Sequence, residues 1–268
     1  MPAHQYLMEN EKEGLRLEIK TDPTELEKQA LWAGIQPGMR VADIGCGPGK
    51  TSHLLSRLIG PEGEVVGIDR SRERIEHANK KFSSQTTRFF CRDIHEPLYD
   101  LGRFDFIWVR FVLEYFRSSS FQIVEELTSS LRAGGILCLI DLDLNCLNHY
   151  DLPRTLESSL LGVMGALEEN KDFDPYAGRR LYSYMYDLNY RNIRVDLSAH
   201  HLIYGDLNKR DEFNWMTKTL VAAKNSGYDF YNDFSDGFMG FFEAFKTFFG
   251  DPRRFTYTPL ISCSGTAP

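Results

Sequence analysis

The sequence predicts an α/β protein, a mostly parallel sheet covered by helices on both faces. Short apolar runs alternate with helix-compatible segments through the first half of the chain. The first run leads into three glycines at alternate positions, Gly45, Gly47 and Gly49, and then into a helix. The 268 residues, 42% apolar and 26% charged, fit one large α/β domain or two small ones and exclude collagen-like, disordered and coiled-coil chains.

Each element has its own signal. Asp22-Pro-Thr-Glu25 combines a capping acid, proline at the first helical position and a glutamate three residues past the cap. A helix therefore runs to about Ala33 and stops near Gly34 and Pro37. Strands are expected at Val41–Ile44, Val65–Ile68, Arg88–Cys91, Phe104–Val109 and Ile136–Leu142, each short, apolar and bounded by glycine, proline or charge. Helices lie between them near Thr51–Leu58, Arg72–Lys81 and Gln122–Leu131, with right-handed crossovers. The second half is less regular. Residues 152–170 and 208–226 have helical spacing, and Ile193–Leu197 and Tyr257–Cys263 read as further strands. Residues 228–249 hold ten aromatics. Phe238, Phe241, Phe242, Phe245 and Phe249 fall on one helical stripe that anchors this insertion, whereas Tyr228, Phe230, Tyr231 and Phe234 precede it as candidates for a lid.

Thirty-one basic and thirty-eight acidic side chains leave a net charge of −7, which repels phosphate backbones and anionic lipid. The basic clusters around Arg70–Arg74 and Lys80–Lys81 are diluted by acids, so neither nucleic acid nor membrane is an expected partner. No run approaches the roughly 18 apolar residues of a membrane span, and the charged N-terminus does not read as a signal peptide. Five scattered cysteines without a C-x-x-C pair make neither a disulfide framework nor a zinc site. A cytoplasmic protein with reduced thiols is expected.

Val41-Ala-Asp-Ile-Gly45-Cys-Gly47-Pro-Gly49-Lys-Thr51 carries the chemistry. Its glycines let a ligand approach the backbone, and the helix beyond offers unpaired N–H groups. Asp69 ends the second strand, where a carboxylate accepts both hydroxyls of a ribose. Asp93 ends the third, placed to accept from an exocyclic amine. Three readings fit the loop: a tight turn without a ligand, a nucleoside-triphosphate loop one spacer short of G-x-x-x-x-G-K-[ST], and a nicotinamide or flavin site whose third glycine comes one residue early.

Asp43-x-Gly45-x-Gly47-x-Gly49, with Asp69 and Asp93, resembles the class I S-adenosylmethionine-dependent methyltransferases, small-molecule type. Phe104–Glu114 and Leu131–Ile140 are similar to the family's fourth and fifth motifs, and Tyr6 with Ala33–Arg40 resembles its approach to the first. The resemblance covers roughly residues 1–145. It implies a doubly wound, mostly parallel seven-stranded sheet of order 3-2-1-4-5-7-6 with its last strand antiparallel. It also implies one domain: an N-terminal helical approach over 1–38, a cofactor core over 39–145, lid or substrate insertions at about 146–190 and 201–255, and a closing strand at 256–264.

Carried onto this chain, the resemblance has Gly45, Cys46, Gly47 and Gly49 pass under the methionine part of S-adenosylmethionine, with Asp43 steadying that loop. Asp69, with Arg70 beside it, holds the ribose; Asp93 and the backbone of Ile94 read the adenine; Val109 and Arg110 meet the methionine moiety, and Tyr6 belongs to the cofactor set. The implied function is methyl transfer to a small-molecule acceptor by in-line displacement. A P-loop-type nucleotide enzyme and a non-catalytic S-adenosylmethionine-binding regulator remain as alternatives. Arg110, Glu114, Tyr115, Asp141, Asp143 and His149 face the carboxyl edge, yet none is assigned as catalytic, because a sulfonium leaving group demands mainly positioning. Asp141, Asp143 and Asn145 suggest a magnesium site, but acids are common at strand ends; adjacent His200 and His201 point to opposite sides of a strand, and no metal is expected. The motifs of amino-adenine and cytosine-C5 methylators are absent.

Overall fold

The computed structural model describes Leu7 and residues 22–268. The expected Tyr6 lies outside the described residues. The first half is α1 (Pro23–Ala33), β1 (Arg40–Ile44), α2 (Lys50–Ile59), β2 (Glu64–Asp69), α3 (Arg72–Phe82), β3 (Thr87–Cys91), β4 (Phe104–Arg110), α4 (Ser120–Ser129) and β5 (Leu131–Leu142). The second half is β6 (His149–Tyr150), α5 (Arg154–Asn170), α6 (Leu181–Asp187), β7 (Arg191–Tyr204), α7 (Lys209–Ser226), α8 (Phe238–Gly250) and β8 (Phe255–Thr266). Asp22 caps α1 as its sequence demands, with Oδ1 accepting from the Thr24 N–H at 2.9 Å. Gly34, at φ +104°, closes the helix in the left-handed region.

The sheet order is β3-β2-β1-β4-β5-β8, with β6 and β7 both pairing with β8. β1 to β5 pair in parallel, and β8 runs antiparallel to all three of its neighbours. With β7 as the sixth long strand and β8 as the seventh, this is the expected 3-2-1-4-5-7-6 order, extended by the two-residue β6.

β5, β7 and β8 each run five residues or more beyond their sequence signals. β5 starts at Leu131 rather than Ile136, because the irregularity between Phe104 and Phe106 lets Phe104 pair with Leu131 and Phe106 with Ile136. β7 extends from Arg191 to Tyr204, and an irregularity between Ala199 and His201 keeps it paired with β8. That irregularity also brings the His200 and His201 rings to 4.2 Å, so the expectation that they diverge fails.

Alternate strand residues feed two cores. Ala42, Val66, Ile107 and Leu137 pack with Ile123, Val124 and Leu127 of α4. Val41, Val65, Trp108 and Cys138 face Leu26 of α1 and Leu55 of α2. A third core lies off the sheet, where α5, α7 and α8 bury Leu160, Leu167, Trp215, Phe241, Phe245 and Phe249. The aromatic stripe is thus an anchor, with one adjustment: Phe248 is buried and Phe238 and Phe242 are only partly so. Among the described residues, no helix is long and apolar enough to cross a membrane.

Candidate active site

A cleft opens at the carboxyl ends of β1, β2 and β4, where the sheet's strand order reverses. Gly45, Gly47 and Gly49 have φ of +73°, +54° and +89°. At Gly45 a Cβ would stand 2.5 Å from Val112 Cγ2, so the close approach as well as the backbone angle calls for glycine.

The loop's N–H groups are already engaged. Gly45 and Cys46 both donate to the Ile68 carbonyl, at 2.8 and 3.0 Å. Gly47 donates to Asp69 Oδ2 at 2.9 Å, and Gly49 to the Cys46 carbonyl at 3.1 Å. A phosphate cradle needs such groups turned towards the ligand. These four N–H groups are therefore turned into the protein rather than towards a phosphate.

The cleft walls carry the carboxylates of Asp43 and Asp69 together with five basic side chains, Lys50, Arg70, Arg74, Arg92 and Arg110. Asp43 is buried, and Ser52 Oγ donates to its Oδ2 at 2.6 Å. Burial pushes its carboxyl up to about 7, with the Ser52 hydrogen bond opposing and nearby Asp69 adding to the rise. Arg110 ends β4, donates from Nε to Gln29 Oε1 at 3.2 Å, and lies over the Phe111 ring. Burial lowers its guanidinium to about 10, while Asp43 and Asp141 hold it up. Asp69 accepts at Oδ1 from Ser71 N–H at 2.8 Å in addition to its Gly47 bond, which leaves lone pairs on both oxygens for a ligand. Trp108, also on the cleft wall, has a buried indole N–H with no hydrogen-bond partner among the described residues.

Of the residues expected in the site, Asp43, Gly45, Cys46, Gly47, Asp69, Arg70, Ile94 and Arg110 line this one cleft. Gly49, Asp93 and Val109 do not. Gly49 packs towards Ala78 and Phe89, and the Val109 side chain is buried in the core beneath. The Asp93 carboxylate turns back to its own loop and accepts from the His95 backbone N–H at 3.0 Å; its Oδ1 also meets His95 Nδ1 at 2.8 Å. Those contacts and Arg70 hold its pKa down despite the opposing effect of burial, the largest single influence.

The sequence reading did not put Trp108, Val112 and Phe116 in the cofactor set, and it took Tyr115 only as a residue at the carboxyl edge. All four border the cleft. The hidden signal is Phe111, whose φ of +59° turns the chain sharply after β4.

The proposed magnesium trio is occupied otherwise. Arg179 pairs with Asp143 through both carboxylate oxygens, at 2.7 and 3.0 Å. Asp141 accepts from the Glu114 N–H, and Asn145 donates to Glu114 Oε2. Among the described residues, no group of His, Cys, Asp or Glu has a metal-holding arrangement. His149 is no general base at the cleft. It sits among Trp215, Phe245 and Phe248, and burial lowers its pKa to about 4.

Comparison with known proteins agrees with this geometry. The methyltransferase-domain family matches residues 35–192, more than half the chain. An uncharacterized methyltransferase of Schizosaccharomyces pombe is 26% identical over 68% of this chain and 66% of its own length. Demethylmenaquinone methyltransferase of Staphylococcus aureus is 30% identical over 40% of this chain and 44% of its own. The chain thus spans two thirds or less of these relatives. The fold is shared with a putative methyltransferase from Bacillus halodurans, at 14% identity and TM-score 0.58, covering 91% of this chain and 99% of that one. It is also shared with the YcgJ protein of Bacillus subtilis, at 17% identity and TM-score 0.58, covering 92% and 100%. The cleft sets Asp43 and Asp69, from neighbouring strands, beside a glycine turn whose amides are internally engaged. The chain belongs to the class I S-adenosylmethionine-dependent methyltransferases, with S-adenosylmethionine as its cofactor.

Proposed function

We propose that this chain methylates a small-molecule acceptor. The observation that carries the reading is the glycine turn with its N–H groups engaged, set beside Asp43, Asp69 and Arg110 in one cleft. When bound, the cofactor supplies an electrophilic methyl group on a sulfonium. Asp69 takes the ribose hydroxyls through its remaining lone pairs. Asp43 braces the turn and faces the ligand's ammonium, and Arg110 with the Trp108 indole N–H answers its carboxylate. Ile94, Val112 and Phe116 provide the apolar wall for the base and exclude water.

The net charge of −7 supports a small acceptor over nucleic acid, as does a relative named for demethylmenaquinone. Residues 39–145 are the cofactor core, and the insertions at 146–190 and 201–255 cover the acceptor. The cysteines among the described residues are all free, which supports a reducing cytoplasm. Calorimetry tests the reading: S-adenosylhomocysteine should bind, and Asp69→Ala should weaken it by about 1.5–3 kcal/mol, the contribution of charge-assisted hydrogen bonds. An unchanged affinity would remove Asp69 from the ribose site.

A further inference from the structure

A small second cavity adjoins the cleft, and Tyr115 borders both. Leu142, Met164, Leu167 and Phe173 give it hydrocarbon walls. Three polar residues meet there from separate parts of the chain: Glu114 after β4, Asn145 after β5, and Lys218 on α7. Glu114 and Asn145 are each 2% exposed. Asn145 Nδ2 donates to Glu114 Oε2 at 2.8 Å, and Lys218 Nζ donates to Asn145 Oδ1.

Asn145 therefore holds a carboxylate and an ammonium apart rather than in contact. Among the described residues, Glu114 Oε1 accepts no hydrogen bond, while the partly exposed Lys218 ammonium donates to Asn145 and lies 5.5 Å from the Trp215 ring centroid. A purely structural carboxylate this deeply buried would be expected to draw the nearby ammonium onto its open oxygen, because an unmet charged oxygen is costly in hydrocarbon surroundings. This pair is propped open. The space inside is about 20 Å³, room for a water-sized group.

We propose that Glu114 and Lys218 together bind the hydroxyl group of an otherwise apolar acceptor. The hydroxyl donates its hydrogen to Glu114 and accepts from Lys218, which makes it the complement of an acceptor facing a donor. A carboxylate offers Glu114 no hydrogen and adds a second negative charge. An ammonium offers Lys218 no lone pair. The apolar body of the acceptor lies along Tyr115 towards the cleft. This inference rests on the reading of the cleft as a methyltransferase site, and it names the acceptor's class.

The test uses protein saturated with S-adenosylhomocysteine and three probes of matched shape: 4-propylphenol, 4-propylbenzoate and 4-propylbenzylamine. Titrations followed by ligand NMR should show the phenol binding about tenfold tighter than the other two, the scale of one hydrogen bond to a charged group. Lys218→Met should erase that preference while the affinity for S-adenosylhomocysteine and the melting temperature hold. If Lys218→Met does not fold, Lys218→Gln serves in its place, since it keeps a polar end but not the charge. Equal binding of the three probes, or an undiminished phenol preference in the variant, overturns the inference and leaves the cleft assignment standing. Failure of S-adenosylhomocysteine to bind overturns both.

Discussion

Between β1 and β4 the chain sets its polar groups near strand ends, Asp69 held by backbone N–H groups and Asp43 and Arg110 by the side chains of Ser52 and Gln29. Between β5 and β8 it does the reverse, and α7 and α8 bury rings against one another and against the aliphatic side chains of α5. In the first region Asp43 is a carboxyl held in apolar surroundings, pushed up to about 7. In the second His149 is an imidazole held neutral, pulled down to about 4. One region stores its tension in charge and the other its stability in packing, so they should respond differently to mutation and oppositely to acid.

The largest difference should come from packing. Phe241 and Phe245 are fully buried, and truncating either to alanine should destabilise the protein by about 3–5 kcal/mol in chemical denaturation. Phe242, only partly buried, should cost clearly less. Tyr231 is 73% exposed and borders none of the cavities described above, so Tyr231→Ala should leave both stability and cofactor affinity unchanged. A large loss of stability there would make Tyr231 part of the packing rather than a lid residue.

Acid separates the regions more finely. The unfolded Asp43 carboxyl titrates near 3.8 and the folded one near 7, so folding favours its protonated form. Its contribution is full below pH 3.8 and is lost as pH rises to 7, with a slope of at most about 1.4 kcal/mol per unit. His149 moves from 6.5 unfolded to about 4 folded, so its contribution is full above pH 6.5 and is lost as pH falls towards 4. The two slopes oppose each other between pH 4 and 6.5. Asp43→Asn should unmask a rise of stability with pH in that window, and His149→Gln a fall. Denaturation midpoints at pH 4.5, 5.5 and 6.5 would check both, and parallel profiles in the two variants would contradict the assigned burial.

The cofactor region was legible in the sequence because its signals are local. Three glycines, a strand before them and an acid twenty residues later lie within one βαβα stretch, and each structural requirement falls on a specified residue type. Asp69 proves to do more than its motif role implies, since its bond to the Gly47 N–H ties the glycine turn to β2. Asp69→Ala should therefore also lower stability, by about 1 kcal/mol or more. The insertion region was harder to read. Its helices showed their period, but the trio of Glu114, Asn145 and Lys218 is drawn from positions up to 104 residues apart, and no local pattern links them. The extra length of β7 was hidden as well, because its irregularity breaks the alternation that a strand signal needs.

The smallest effect is expected at Lys50. It borders the cleft at the start of α2 and is partly exposed, and Lys50→Ala should change S-adenosylhomocysteine affinity by less than about 1 kcal/mol, the scale of a solvent-screened charge. In a triphosphate loop the same change would remove a phosphate contact.

Parallel calorimetric titrations of one preparation with S-adenosylhomocysteine and with ATP at pH 7.5 test the central claim most directly. S-adenosylhomocysteine should saturate a single site, and ATP at the same concentrations should give no heat beyond dilution. Binding of ATP with no binding of S-adenosylhomocysteine would contradict the account of the glycine turn and everything built on it.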